Sequence, residues 1–173
     1  MRGDERVELR IESAERALAL LKQGWPTKAV SLVGEDLRFP LPQFGSSHLI
    51  LRFHDVEAED EPGFVPPTQE QLRLALAHAA DLAPSDRLLI HCHAGKSRSP
   101  AVAIGILIQL GMTPLDAFTC VKGIRPQLIP NRLIIRQLDE ILGLKGELIS
   151  IVRRHYQGLG SEAALPNRGG MNR

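Results

Sequence analysis

The residues whose types and spacing could do chemistry lie in one stretch, His91-Cys92-His93-Ala94-Gly95-Lys96-Ser97-Arg98-Ser99-Pro100. A cysteine followed after five residues by an arginine, with a glycine between them, suits phosphoryl transfer. The transferring group spreads negative charge over three equatorial oxygens, so catalysis is mainly positioning and electrostatic stabilisation. A loop of this length wraps one phosphate with converging backbone N–H groups. Gly95 permits a backbone conformation that other residues resist. Arg98 offers two parallel donors to two phosphate oxygens. The same N–H groups, the positive end of a helix dipole and the guanidinium favour a thiolate over a thiol, which makes Cys92 a nucleophile. Ser99 can donate its hydroxyl to the sulfur and ease its departure. A packed cysteine at a strand end is the ordinary reading of a lone Cys, but it explains neither Gly95 nor Arg98.

Such a loop must hang between a strand end and a helix N-terminus, and the flanking sequence supplies both. Arg87 to Ile90 reads as a short apolar strand that ends at His91-Cys92. After Arg98 a very apolar helix runs to Leu110, and Gly111 stops it. Upstream, Val7, Leu9 and Ile11 alternate with charged residues, as in a strand with one wet face. Ser13 caps a helix over Ala14 to Gln23. Ala29 to Val33 and Leu49 to Phe53 are further strands, with Gly34 to Ser47 a loop between them. Thr68 and Gln71 form a capping box for a helix to about Leu82. Thr113 and Asp116, with Pro114 between, open another to Lys122. Pro130-Asn131 starts a helix to about Leu142, and a last one covers Glu147 to Tyr156. The sum is an α/β chain with a mainly parallel twisted sheet flanked by helices. In such sheets ligands sit beyond the carboxyl ends of strands, where Cys92 falls. Residues 1–156 read as one domain and 157–173 as a flexible tail.

The Cys92 stretch resembles the phosphate-binding loop of the protein tyrosine phosphatase superfamily: His-Cys, five residues, Arg, then Ser or Thr. It is closest to the dual-specificity branch, whose loop often reads on as Ser-Arg-Ser-Pro. A second block, Arg125-Pro126, Pro130-Asn131 and Gln137-Leu138, resembles that branch's downstream helix. The resemblance covers roughly residues 27–142. It implies a phosphatase that works through a phosphocysteine on Cys92, with no metal and no organic cofactor. It implies phosphate binding by the segment His93, Ala94, Gly95, Lys96, Ser97 and Arg98. It also implies a supporting His91 that hydrogen-bonds locally, and an Asn131 that helps hold the loop. Rhodanese-type and arsenate-reductase-type sulfur chemistry uses a similar loop, but those families lack the Pro-Asn and Gln-Leu block.

In this family an Asp on an upstream loop protonates the leaving group and later activates water. Asp55 follows the strand Leu49 to Phe53 almost directly, and it is the residue favoured here. Asp60 lies nearer the usual distance upstream of the cysteine. If Asp55 serves, the loop carries about five extra residues, which a loop absorbs cheaply. Glu57, Glu59 and Glu61 then read as a solvated acidic run. Trp25-Pro26-Thr27 looks like a Trp-Pro-Asp loop without its Asp, and reads as a turn. His93 and Lys96 either face the loop interior or point to solvent. Facing inward, they would favour a soluble inositol phosphate or another phosphorylated small molecule over a phosphoprotein. Cys120 reads as a packed helical cysteine, with a redox role the other reading.

Composition sets the remaining expectations. Net charge is +1, with 21 basic and 20 acidic residues, so nothing points to nucleic acid or a membrane surface. The longest apolar run, Ala101 to Ile108, is too short to span a bilayer. Two cysteines make no disulfide framework, and the expected setting is cytoplasmic. The expected partners are a phosphorylated protein or small-molecule substrate, with phosphate or sulfate in the loop, acting on a monomer. Phosphotyrosine, phosphoserine and phosphothreonine remain open as substrates, as does a phospho-binding protein without turnover.

Overall fold

The computed structural model describes residues 7–35 and 47–163, the last three of these by their backbone alone. The chain runs β1 (Glu8–Glu12), α1 (Ala14–Lys22), β2 (Lys28–Val33), β3 (His48–Arg52), α2 (Gln69–His78), β4 (Arg87–His91), α3 (Arg98–Gln109), α4 (Pro114–Ile124), α5 (Arg132–Ile141) and α6 (Glu147–Ala163). Side-chain caps set most helix starts. Ser13 accepts from Arg16 N, Thr113 from Asp116 N and Asn131 from Ile134 N, and Thr68 and Gln71 cap each other's backbone.

The four strands form one parallel sheet in the order β1-β4-β2-β3. β4 is therefore an inner strand, with Ile90 beside Ile11 on one side and Val30 on the other. Leu88, Leu89 and Ile90 are all buried although they alternate between its two faces, which explains the continuous apolar run. Ala29 and Leu89 pack against Ala17 and Leu21 of α1 on one face. Val30, Leu32, Leu88 and Ile90 face the larger core, which α2 to α6 complete. α3 is central there. Its Gly105 lies so close to α5 that an added Cβ would sit 2.8 Å from the Leu138 methyls.

Most element ends fall within two residues of the sequence reading, and two depart further. α2 ends at His78 instead of near Leu82, because Ala79 N and Ala80 N bond the carbonyls three residues back and tighten the chain. α6 runs to Ala163, so residues 157–163 of the expected tail are helical. Gly158 and Gly160 weaken a helix by about 1 kcal/mol each without ending it. That helix is anchored from its middle, where Tyr156 and His155 bond the carbonyls of Pro130 and Leu128. Of the expected loop Gly34 to Ser47, residues 36–46 lie outside the described residues, as do residues 164–173. No helix among the described residues is long and apolar enough to cross a membrane.

Candidate active site

Cys92 leaves the end of β4 and is 2% exposed. The next six residues turn around its sulfur and enter α3 at Arg98. Each carbonyl of the loop is held on its outer side. His93 O accepts from Ala14 N at 3.0 Å, and Lys96 O from Ile129 N at 2.7 Å. Ser97 O accepts from Asn131 N and Ala101 N, both at 3.3 Å. Arg125 takes the two between: Nη2 bonds Ala94 O at 3.3 Å and Nε bonds Gly95 O at 3.1 Å. A trans peptide sets its N–H opposite its carbonyl. Five carbonyls held outward therefore turn the N–H groups of residues 94–98 inward. The first turn of α3 adds its own unpaired N–H groups and the positive end of its dipole. The result is an anion cradle with the sulfur at its foot.

Gly95 makes the turn possible. Its φ is +68°, and a Cβ there would meet Glu12 C and O at 2.6 Å. Ser99, fully buried, donates its hydroxyl to Cys92 Sγ at 3.2 Å. Arg98 is 5% exposed. Its Nη1 donates to Phe53 O at 2.8 Å, and its Nε is buried without a hydrogen-bond partner. The guanidinium thus presents its Nε–Nη2 edge to the cradle.

Asp55 follows β3 and reaches the same place. Its Oδ1 accepts from Ser97 Oγ at 2.7 Å and from Asn131 Nδ2 at 2.9 Å, and Oδ2 lies 3.8 Å from Arg98 Nε. Asn131 Nδ2 also bonds Val56 O. Asp60 is exposed. The acidic run is not free in solvent throughout. Glu57 accepts from Arg132 N and Nε at 3.1 and 2.9 Å, and Glu59 lies 3.6 Å from Arg136. His54 and Val65 close the base of this loop, with His54 N donating to Val65 O and Val65 N donating to His54 Nδ1.

His91 is fully buried. Its pKa is lowered to about 4, first by desolvation, against a hydrogen bond to Cys92 O that favours the charged form. Its ring also meets Ser31 Oγ at 2.6 Å. His93 and Lys96 are exposed at the rim. Cys120 is half-buried on α4. The turn expected at Trp25-Pro26-Thr27 falls at Gln23-Gly24 instead, and Trp25 to Thr27 link it to β2 at the opposite end of the sheet, where Thr27 bonds Asp86 and Arg87. No cluster of three or more His, Cys, Asp or Glu that could hold a metal occurs among the described residues.

Sequence reasoning missed the clamp from Arg125, the contact of Glu12 with Gly95, and the pairing of Ser31 with His91. Two of these carried a signal. Arg125 belongs to the second block of the resemblance, and Ser31 is a lone polar residue in an otherwise apolar strand.

No protein-family model matches the chain. Dual specificity protein phosphatase 26 of Bos taurus is 33% identical over 110 residues, which is 63% of this chain and 47% of that protein. The Homo sapiens protein of the same name is 32% identical over the same extent. The chain thus spans about half the length of the curated relatives it matches. The crystal structure of human DUSP28 superposes with a TM-score of 0.59 at 26% identity, covering 76% of this chain and 86% of that one. The structure of DUSP15, at 21% identity, shares the fold over 90% of this chain and 94% of its own, with a TM-score of 0.54. The chain is a homologue of the dual specificity protein phosphatases, built on the same α/β fold.

Proposed function

We propose that the chain is a cysteine-dependent phosphatase that hydrolyses phosphate monoesters through a phosphocysteine on Cys92, acting on phosphotyrosine, phosphoserine or phosphothreonine in proteins. The observation that carries this reading is the buried Nε of Arg98, which makes no hydrogen bond and only a 3.8 Å ion pair with Asp55, facing a cradle of inward N–H groups with a hydroxyl-supported sulfur at its foot. A buried guanidinium edge whose hydrogen bonds are unmade is costly unless an anion completes them.

The chemistry follows from the positions. The cradle N–H groups and the Nε–Nη2 edge of Arg98 hold the equatorial oxygens. The Cys92 thiolate attacks phosphorus in line, forming an S–P bond as the P–O bond to the leaving group breaks. Asp55 has Oδ1 occupied by two donors, so Oδ2, which faces Arg98, carries the proton given to the leaving oxygen. The same oxygen then takes a proton from water as that water attacks phosphorus and the sulfur departs. Ser99 supports the sulfur as its charge returns.

The test is turnover of an aryl phosphate by wild type and Cys92→Ser, with mass spectrometry of the acid-quenched Cys92 peptide. Wild type should turn over and show one added phosphoryl group. Cys92→Ser should bind phosphate and turn over nothing. Residual turnover of a few per cent in that variant would overturn the mechanism, and binding without turnover in wild type would leave a phospho-binding protein. A panel of a phosphotyrosine peptide, a phosphoserine peptide and a soluble inositol phosphate assigns the substrate class.

A further inference from the structure

Three polar side chains form a row across the strands on the α1 face of the sheet: His48 on β3, Ser31 on β2 and His91 on β4. Ser31 and His91 are direct partners in the parallel register. His48 stands beside Ala29, two residues before Ser31 and so on the same face. Ser31 Oγ lies 2.7 Å from His48 Nε2 and 2.6 Å from His91 Nε2, and His91 Nδ1 lies 3.3 Å from Cys92 O.

Valence fixes the direction of this chain. A carbonyl only accepts, so His91 Nδ1 carries hydrogen. Burial keeps His91 neutral, and the titratable and charged groups acting on it, His48 and Arg98, also oppose a charge there. A neutral ring with hydrogen on Nδ1 has a bare Nε2, which accepts from the Ser31 hydroxyl. With that hydrogen spent, the Ser31 oxygen accepts from His48 Nε2–H. The reverse direction would set a bare Nδ1 against the Cys92 carbonyl. A planar peptide links that carbonyl to the His93 N–H, so pinning one sets the other.

We propose that Ser31 and His48 are positioning residues for the Cys92 nucleophile, acting through His91 to fix the ring tautomer that pins the Cys92–His93 peptide plane at the entry to the cradle. This rests on the phosphatase reading for its purpose, but two of its tests need no turnover. On wild type, ¹⁵N spectra of the histidine rings should show His91 as the Nδ1–H tautomer and His48 with hydrogen on Nε2. The opposite tautomer at either ring overturns the proposal. Alkylation of Cys92 by iodoacetamide, read by mass spectrometry of its peptide, reports the reactive thiolate. At pH 5.5 Ser31→Ala should slow it by about 3- to 10-fold, the worth of one lost hydrogen bond, with a much smaller effect at pH 9. Ser31→Thr keeps the hydroxyl and should recover most of the rate, and kcat/KM for an aryl phosphate should follow the same pattern. Superimposable alkylation profiles for wild type and Ser31→Ala sink the idea, as does an equal loss at every pH that Ser31→Thr does not restore. If wild type turns over no aryl phosphate, the phosphatase reading fails while the tautomer and alkylation results still decide this one.

Discussion

Replacing Gly95 by alanine tests the cradle at its tightest point. The residue stands at φ +68°, and the new methyl would lie 2.6 Å from Glu12 C and O and 2.9 Å from Ser13 N. Ordinary carbon contacts begin at about 3.5 Å, so the overlap is roughly 1 Å. The obstacle cannot yield cheaply because it is backbone. Glu12 ends β1 in register with His91, and Ala14 N is tied to His93 O. A side chain in the left-handed region costs about 1–2 kcal/mol, and overpacking costs about 1–3 kcal/mol. The expected destabilisation is about 2–5 kcal/mol, measured by urea unfolding. To escape, the loop must swing off Glu12 and carry its N–H groups with it. A misplacement of about 1 Å should lower kcat/KM on an aryl phosphate by about 10²-fold. A variant within about 0.5 kcal/mol of wild type and with near-normal kcat/KM refutes the tight fit, since only sites away from such features tolerate change so well.

Asp55→Asn should lower the rate by about 10²–10⁴-fold for substrates with poor leaving groups and flatten the alkaline limb of the pH profile; if Asp60→Asn does this and Asp55→Asn does not, the acid is misassigned. Arg98→Lys keeps the charge but loses the two-donor edge, so it should be severely impaired in steady-state kinetics, and near-normal rates would remove the assigned role. His91, with a folded pKa of about 4 against an unfolded value near 6.5, stays neutral where the unfolded chain takes up a proton. Its contribution is present above pH 6.5 and is lost as pH falls toward 4, about 2 kcal/mol of it between pH 7 and 5. The His91 ring signals should accordingly not titrate between pH 8 and 5 by NMR, and a midpoint near 6.5 would contradict the burial argument.

The parts of the fold legible in the sequence are those fixed by neighbours along the chain. The Thr68–Gln71 and Thr113–Asp116 pairs mark helix starts because a cap acts across three residues. The apolar run of β4 and the glycine between Cys92 and Arg98 place the loop for the same reason. Helix ends were less legible: Gly158 and Gly160 look like breakers, yet α6 passes through both because contacts at His155 and Tyr156 hold it. What distant segments bring together left only faint marks. Arg125 reaches carbonyls thirty residues upstream, and the row of Ser31, His48 and His91 exists only once three strands take their register. The acidic run reads as solvated until α5 sets Arg132 and Arg136 opposite Glu57 and Glu59.

Those same contacts decide how the proposed acid, Asp55, and the proposed nucleophile, Cys92, are set relative to each other. Asn131 caps α5 through Oδ1, and its backbone N–H holds the Ser97 carbonyl of the cradle. Its amide Nδ2 holds Asp55 and the Val56 carbonyl of the acid loop. Ser97 closes the triangle by donating its hydroxyl to Asp55. The two loops come from opposite sides of α2 in the chain, yet they share anchors at one helix N-terminus. The Glu57 and Glu59 pairs are exposed, and each adds no more than about 1 kcal/mol. Their contribution is therefore orientation, steering a loop onto α5, while the part-buried bonds of Asn131 set its position. On the proposed mechanism Asp55 is held by groups that also shape the cradle, so a change at Asn131 should disturb attack and protonation together, whereas a change at Glu57 or Glu59 should act mainly on protonation.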